Sequence, residues 1–368
     1  MTPAAATQAV LWGGLAIGLL LGALAQASRF CTMGALADWF SYGGTARLMM
    51  WVLALAVAAA GAHGLMQAGW LDATRALPWS NQLLWLSCAV GGTLFGVGMV
   101  LASGCPQRNL VRAGAGSLKA LVTLGVAGFA ADLTLRGILA LPRVRALDAA
   151  GLTLAGPQDL ASLLAAATGG AAATLRMGLV LLLVLALLFW VWRQRAALDR
   201  LQVLAGIGIG LTVVMAWALT GHIGFLPEHP ETLEPAWLGT ASRRPEGLTF
   251  SAPLAHTLQL LALWSDTNTR ASFGVLVVLG VPLGSALSAL WRREFRVEGF
   301  AGTQDLGDHL VGGVLMGFGS VTALGCSIGQ GLTGLSLLSA GSVLAVAGMV
   351  AGTRIGLWFQ VWRLERAA

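Results

Sequence analysis

Of the four cysteines in the chain, three stand in settings that a simple packing residue does not need. They are Ser28-Arg29-Phe30-Cys31-Thr32-Met33-Gly34, Ala102-Ser103-Gly104-Cys105-Pro106-Gln107-Arg108-Asn109 and Ala323-Leu324-Gly325-Cys326-Ser327-Ile328-Gly329-Gln330-Gly331. Gly104 and Gly325 let backbone approach closely, and Pro106 suits the first turn of a helix. A helix that begins there turns its free N–H groups and the positive end of its dipole toward an anion. A thiol is a weak donor and a soft, polarizable acceptor. Three thiols at such helix starts fit a small anion carrying a soft sulfur atom, bound by S–H···S contacts that form and release. Arg29 and Arg108 add attraction without the tight hold that would stop the ion leaving. Ser103, Gln107, Asn109, Ser327 and Gln330 have two readings, as partners of sulfonate-type oxygens or as caps of the short helices. Cys88 lies inside an ordinary apolar run and reads as packing.

Other chemistries find less support. None of His63, His222, His229, His256 and His309 stands at ligand spacing from a cysteine, so no metal is expected. No cofactor motif is present, and no catalytic base neighbours a cysteine in sequence. A Cys31–Cys105 disulfide stays open, because sequence does not give their separation. Asp132 and Arg136, four apart in one apolar run, share a helix face and are expected to neutralise one another. The polar stretch 221–250 reads as a solvated loop.

The elements that must position these residues are membrane helices. The chain is 57% hydrophobic and 10% charged, against about 25% charged for soluble domains, and its mean hydropathy is +0.77. Basic residues fall in short gaps between apolar runs, so the pI of about 10.1 reflects orientation in a bilayer rather than nucleic-acid binding. Nine windows are long enough to cross: 8–27, 46–68, 83–103, 117–141, 174–193, 203–220, 271–290, 307–325 and 340–360. The first ends in Ala25-Gln26-Ala27 but lacks a basic n-region, and is read as a retained span. Four pieces, 29–42, 104–113, 249–264 and 326–336, are too short to cross and suit re-entrant half-helices. Gly91-Gly92 and Cys105 recur as Gly312-Gly313 and Cys326, both displaced by 221 residues. The same offset carries three early spans onto three late ones. The expected fold is therefore an all-α polytopic membrane protein with an inverted-topology repeat. Its parts are a first half at 1–145, a connecting loop and odd central span at 146–200, and a second half at 201–368. Thirteen Lys and Arg flank the spans on the side of the C-terminus and seven on the other. This places the C-terminus in the cytoplasm and the N-terminus outside.

Ser-Arg-Phe-Cys at 28–31, Ser-Gly-Cys-Pro at 103–106 and Gly-Cys-Ser-Ile-Gly-Gln-Gly at 325–331 resemble the cysteine segments of the YeeE/YedE family of sulfur-compound transporters. The resemblance spans nearly the whole chain. It implies thiosulfate uptake across the bacterial inner membrane and an hourglass fold of inverted halves. It also implies a path near Cys31, Cys105 and Cys326, with Cys105 at the tightest point, and cytoplasmic sulfur-carrier partners of the TusA type. Some relatives are associated with selenium metabolism, so another sulfur or selenium anion is an alternative substrate. The path is chemically asymmetric, because Ala252 stands where the repeat of Cys31 falls. The competing class is a membrane-embedded sulfurtransferase passing sulfane sulfur, as a cysteine persulfide, to a cytoplasmic carrier.

Overall fold

A computed structural model describes residues 2–367. Helix α1 (Pro3–Ser28) begins with Thr2 as its cap and a proline in its first turn. It leads through Arg29, in the left-handed region, to the short α2 (Thr32–Tyr42) and then α3 (Ala46–Gln67). Next come α4 (Trp85–Leu101), the nine-residue α5 (Pro106–Gly114) and α6 (Leu118–Leu135). Small helices α7 (Ala140–Ala146) and α8 (Leu160–Thr168) precede the long α9 (Ala172–Arg193). Then α10 (Arg200–Ala218), started by an Asp199–Gln202 capping box, runs into a π-helical turn at Leu219–Ile223. The chain ends with α11 (Ser251–Ala262), α12 (Phe273–Trp291), α13 (Thr303–Thr322), a second π segment at Gly329–Gly334, and α14 (Ala340–Ala367). Two-residue strands pair only in the loops, Gln82–Leu83 with Leu152–Thr153 and Phe225–Leu226 with Ala236–Trp237.

Eight helical stretches are long and apolar enough to cross a bilayer, with α2 and α5 counted as continuations of α1 and α4. The chain is thus a multi-pass, all-helical membrane protein. The window expected at 307–325 is α13, which stands outside the eight; Asp305, Asp308 and His309 make its first turns polar. Each of the four short pieces expected from sequence is a helical segment of its own, bounded by turns.

Helices from the early part of the chain pack along helices from the late part. α1 lies along α12, and α10 lies along α3. Likewise α4 lies along α14 and α6 along α13, while α4 and α13 meet each other. Each of these early helices thus packs on a helix made late in the chain. These contacts need small residues: a Cβ on Gly22 would overlap the Val281 carbonyl, and one on Gly284 the Leu19 carbonyl. By contrast α9 presents Leu181, Leu182, Leu185 and Phe189 outward, as a lipid-facing helix would.

Candidate functional site

α4 stops in mid-run because the backbone turns left-handed at Ser103 (φ 54°) and Gly104 (φ 157°). The Gly104 N–H returns to Met99 O at 2.8 Å, and Cys105 becomes the residue before α5. Asn109 Nδ2 donates back to Gly104 O at 2.9 Å and Cys105 O at 3.3 Å, bracing the break. α13 ends the same way, with Leu324 at φ 59° and Gly325 N bonded to Ser320 O at 2.8 Å. Gln330, at the repeat position of Asn109, donates Nε2 to Ala323 O, while its Oε1 accepts from Ser342 Oγ. Both ends of the Gln330 carboxamide are therefore committed to holding the break.

The three motif thiols each stand at the start of a short helix. Cys31 caps α2, its Sγ accepting from Gly34 N at 3.2 Å. Cys326 Sγ accepts from Gly329 N at 3.5 Å and lies 4.0 Å from Thr249 Oγ1. Cys105, wholly buried, makes no cap with its side chain. Cys31, Cys326, the Ser327 hydroxyl and the Arg108 backbone all lie within its interaction range. Cys31 and Cys326 are thus both neighbours of Cys105. All four cysteines are free, so the Cys31–Cys105 pair is not a disulfide here. Cys88 packs with Ala323 and Ala345 instead.

The charged candidates separate. Arg108 is within electrostatic range of Cys31 and Cys105, and its Nη1 is buried without a protein partner. Arg29 is exposed and has no ion pair among the described residues. Arg47, read from sequence only as an orientation charge, stands beside Cys31. Its Nη1 would lie 2.6 Å from a Cβ on Gly34, beside Cys31, and its Nε pairs with Asp38 at 3.4 Å. Asp132 is held by Gln259 Nε2 of α11 rather than by Arg136, which differs from the pairing expected from their spacing.

Buried polar atoms without a protein partner collect near these thiols. They include Thr32 Oγ1, both ends of Gln107, Asn109 Oδ1 and Ser327 Oγ. Trp51 Nε1 is another, and the Trp51 ring lies against Gly331 in the π segment after Cys326. Native interiors leave few such groups unpaired. Donors and acceptors around soft thiols suit an anion with one sulfur end and one oxygen end. Trp51 and Thr32 escaped sequence reasoning because each reads as an ordinary member of an apolar segment.

A cavity opens on each side. One, of about 520 Å³, is lined by Arg143, Arg244, Glu246 and His256 and reaches Gly325, Gly329 and Thr249 beside Cys326. Burial raises the Glu246 carboxyl above its ordinary pKa, against backbone N–H groups of Ser242 and Ala241 that favour its charge. The other, of about 660 Å³, is lined by Arg108, Arg112, Arg296, Glu294 and Glu298. It lies on the face where α14 ends, since Arg363 grips Asp308 at 2.6 Å and 2.7 Å near the start of α13. No group of His, Cys, Asp and Glu among the described residues is arranged to hold a metal ion.

The thiosulfate transporter TsuA of Escherichia coli (strain K12) is 28% identical over 374 residues, covering 98% of this chain and 97% of that protein. The thiosulfate transporter TsuA of Spirochaeta thermophila is 26% identical over 360 residues, covering 97% of this chain and all of that protein. The family model described as sulphur transport matches residues 27–355, from just before the first cysteine segment to within α14. The chain belongs to that sulphur-transport family, the YeeE/YedE proteins.

Proposed function

We propose that the protein imports thiosulfate across the bacterial inner membrane, passing it between the thiols of Cys326, Cys105 and Cys31. The observation that carries this reading is the meeting of three helix-start thiols between two oppositely placed cavities. Helix starts offer N–H groups to the anion, while thiols grip its sulfane sulfur softly enough to let it go. Residues 1–145 and 201–368 are then two inverted halves joined by 146–200, with α2, α5, α11 and the segment after Cys326 as half-helices meeting near the midplane. Ser103, Gly104 and Gly325 shape the two breaks, Gln330 braces one of them, and Arg29 and Arg108 add positive field. The C-terminus and the Arg108 cavity face the cytoplasm in this reading, where a TusA-type sulfur carrier would accept the product.

Transport is favoured over sulfur transfer through a persulfide. Such a relay calls for an accessible thiol of low pKa, and Cys105 is wholly buried among thiols, a hydroxyl and an arginine. No group positioned as a general base is among its neighbours.

The test is uptake of radiolabelled thiosulfate into cells lacking their own thiosulfate and sulfate importers. Cys105→Ala is expected to reduce uptake to the level of cells without the protein, and Cys88→Ala to leave it unchanged. Normal uptake by a well-expressed Cys105→Ala variant would falsify the thiol path. No uptake by wild type would move the search to other sulfur and selenium anions.

A further inference from the structure

On the face where α14 ends, the cavity beyond Arg108 is crowded with positive charge for a place an anion must leave. Arg108, Arg112 and Arg296 line it, and Lys119 stands behind. Of its two glutamates, Glu294 turns to Arg292 at 3.6 Å and Gln26 at 3.4 Å. Glu298 answers both inner cations. Its Oε1 lies 2.6 Å from Lys119 Nζ, and its Oε2 lies 3.4 Å from Arg112 Nη2 and 3.5 Å from Ser117 Oγ. Asp305 is a more distant partner of Lys119, at 3.9 Å, and itself holds His309.

The carboxylate is delivered there by its backbone. Leu118 N donates to Glu298 O at 2.8 Å, Glu298 N to Gly116 O at 3.2 Å, and Arg296 N to Ala115 O at 3.0 Å. The α12–α13 connection is thus pinned across the end of α5, one turn and a half beyond Arg108. Lys119 and Arg112 hold the Glu298 carboxyl below its ordinary range, so it is ionised at neutral pH. An anion moving past Arg108 meets Arg112 next, and finds it already engaged.

We infer that Glu298 is a built-in competitor for the transported anion, occupying Arg112 and Lys119 so that a small divalent oxyanion is held weakly in this cavity and released. A path conducts only when its last site is weak enough to leave. The inference rests on the transport reading, and its first test does not.

That test compares sulfate binding, by calorimetry, to purified full-length wild type and Glu298→Gln. Glutamine keeps the size and the backbone pairing and removes only the charge. The expected result is sulfate bound at least tenfold more tightly by Glu298→Gln, with the gain abolished by adding Arg112→Gln. Equal sulfate affinity in wild type and Glu298→Gln overturns the inference. In uptake assays, Glu298→Gln should lower the maximal rate severalfold while KM stays level or falls. A raised KM with an unchanged maximal rate would instead make Glu298 part of capture and overturn it. Lys119→Met serves where Glu298→Gln yields no folded protein: with one cation fewer and Glu298 left to Arg112 alone, sulfate should bind severalfold more weakly, and unchanged affinity overturns the inference. Absence of thiosulfate uptake by wild type would tell against the substrate reading, while sulfate binding would still decide the role of Glu298.

Discussion

Where α4 breaks, the Cys105 carbonyl accepts from Asn109 N at 2.9 Å, whereas the Gly104 carbonyl is held by the Asn109 side chain through Nδ2, at 2.9 Å. Replacing Asn109 by Leu keeps the branched shape and strands the Gly104 carbonyl, at a cost of about 1–3 kcal/mol for an unsatisfied buried group. The expected outcome is a lower melting temperature of the detergent-purified protein together with reduced uptake, although Cys105 itself is unchanged. Wild-type values for both would mean that the break holds its shape unaided. At this scale the cysteine segments were legible because glycine, proline and cysteine side by side announce a broken helix locally. Arg47 and Trp51 were not. Their relevance comes from Gly34 and Gly331, which admit them across space and carry no mark of it in the flanking sequence.

Among the elements, the segment that brings Thr249 to Cys326 is fastened at both π turns. Thr220 Oγ1 donates to Glu246 O at 2.7 Å and accepts from Glu246 N at 3.1 Å, while Thr333 Oγ1 donates to Leu248 O at 2.7 Å. Wide π turns free backbone and side-chain groups for such service. Glu246 sits in this segment with a raised pKa caused by burial. Its folded state prefers the protonated acid, so the stabilisation is present below the unfolded value of 4.5 and is lost as pH rises through the folded value. Melting temperature should therefore decline across that window in wild type and more shallowly in Glu246→Gln. Identical pH profiles would remove Glu246 as the cause. The stretch 221–250 reads from sequence as a solvated loop, since Pro, Glu and Arg abound there. Its last residues are instead buried, through hydroxyl-to-backbone bonds that sequence periodicity does not register.

For the whole molecule, the 221-residue offset carries three early spans onto three late ones, and in the structure early helices pack along late ones. Repetition is visible in one sequence, whereas which face of α1 meets α12 depends on glycines spaced along both helices. Gly284→Leu should prevent the close approach of α12 to α1, where a Cβ already overlaps the Leu19 carbonyl. Overpacking a tight interior costs about 1–3 kcal/mol or more. The expected result is a severe loss of folded, membrane-extracted protein, whereas Gly178→Leu on the outer side of α9, where a Cβ meets nothing within 4 Å, should be tolerated. Equal yields for the two variants would separate the α1–α12 contact from stability.

The pairing of early helices with late ones also sets a timetable for biosynthesis. α1 and α12 are made far apart in time, and so are α4 and α14, at roughly 5–20 residues per second on the ribosome. For tens of seconds the early helices lie in lipid beside the Cys105 break, with the surfaces that α12, α13 and α14 will cover still bare. Cys31 and Cys105 are both in place before the segment that carries Cys326, which follows α13, has been made. A nascent chain stalled before α14 leaves bare the face of α4 that α14 covers.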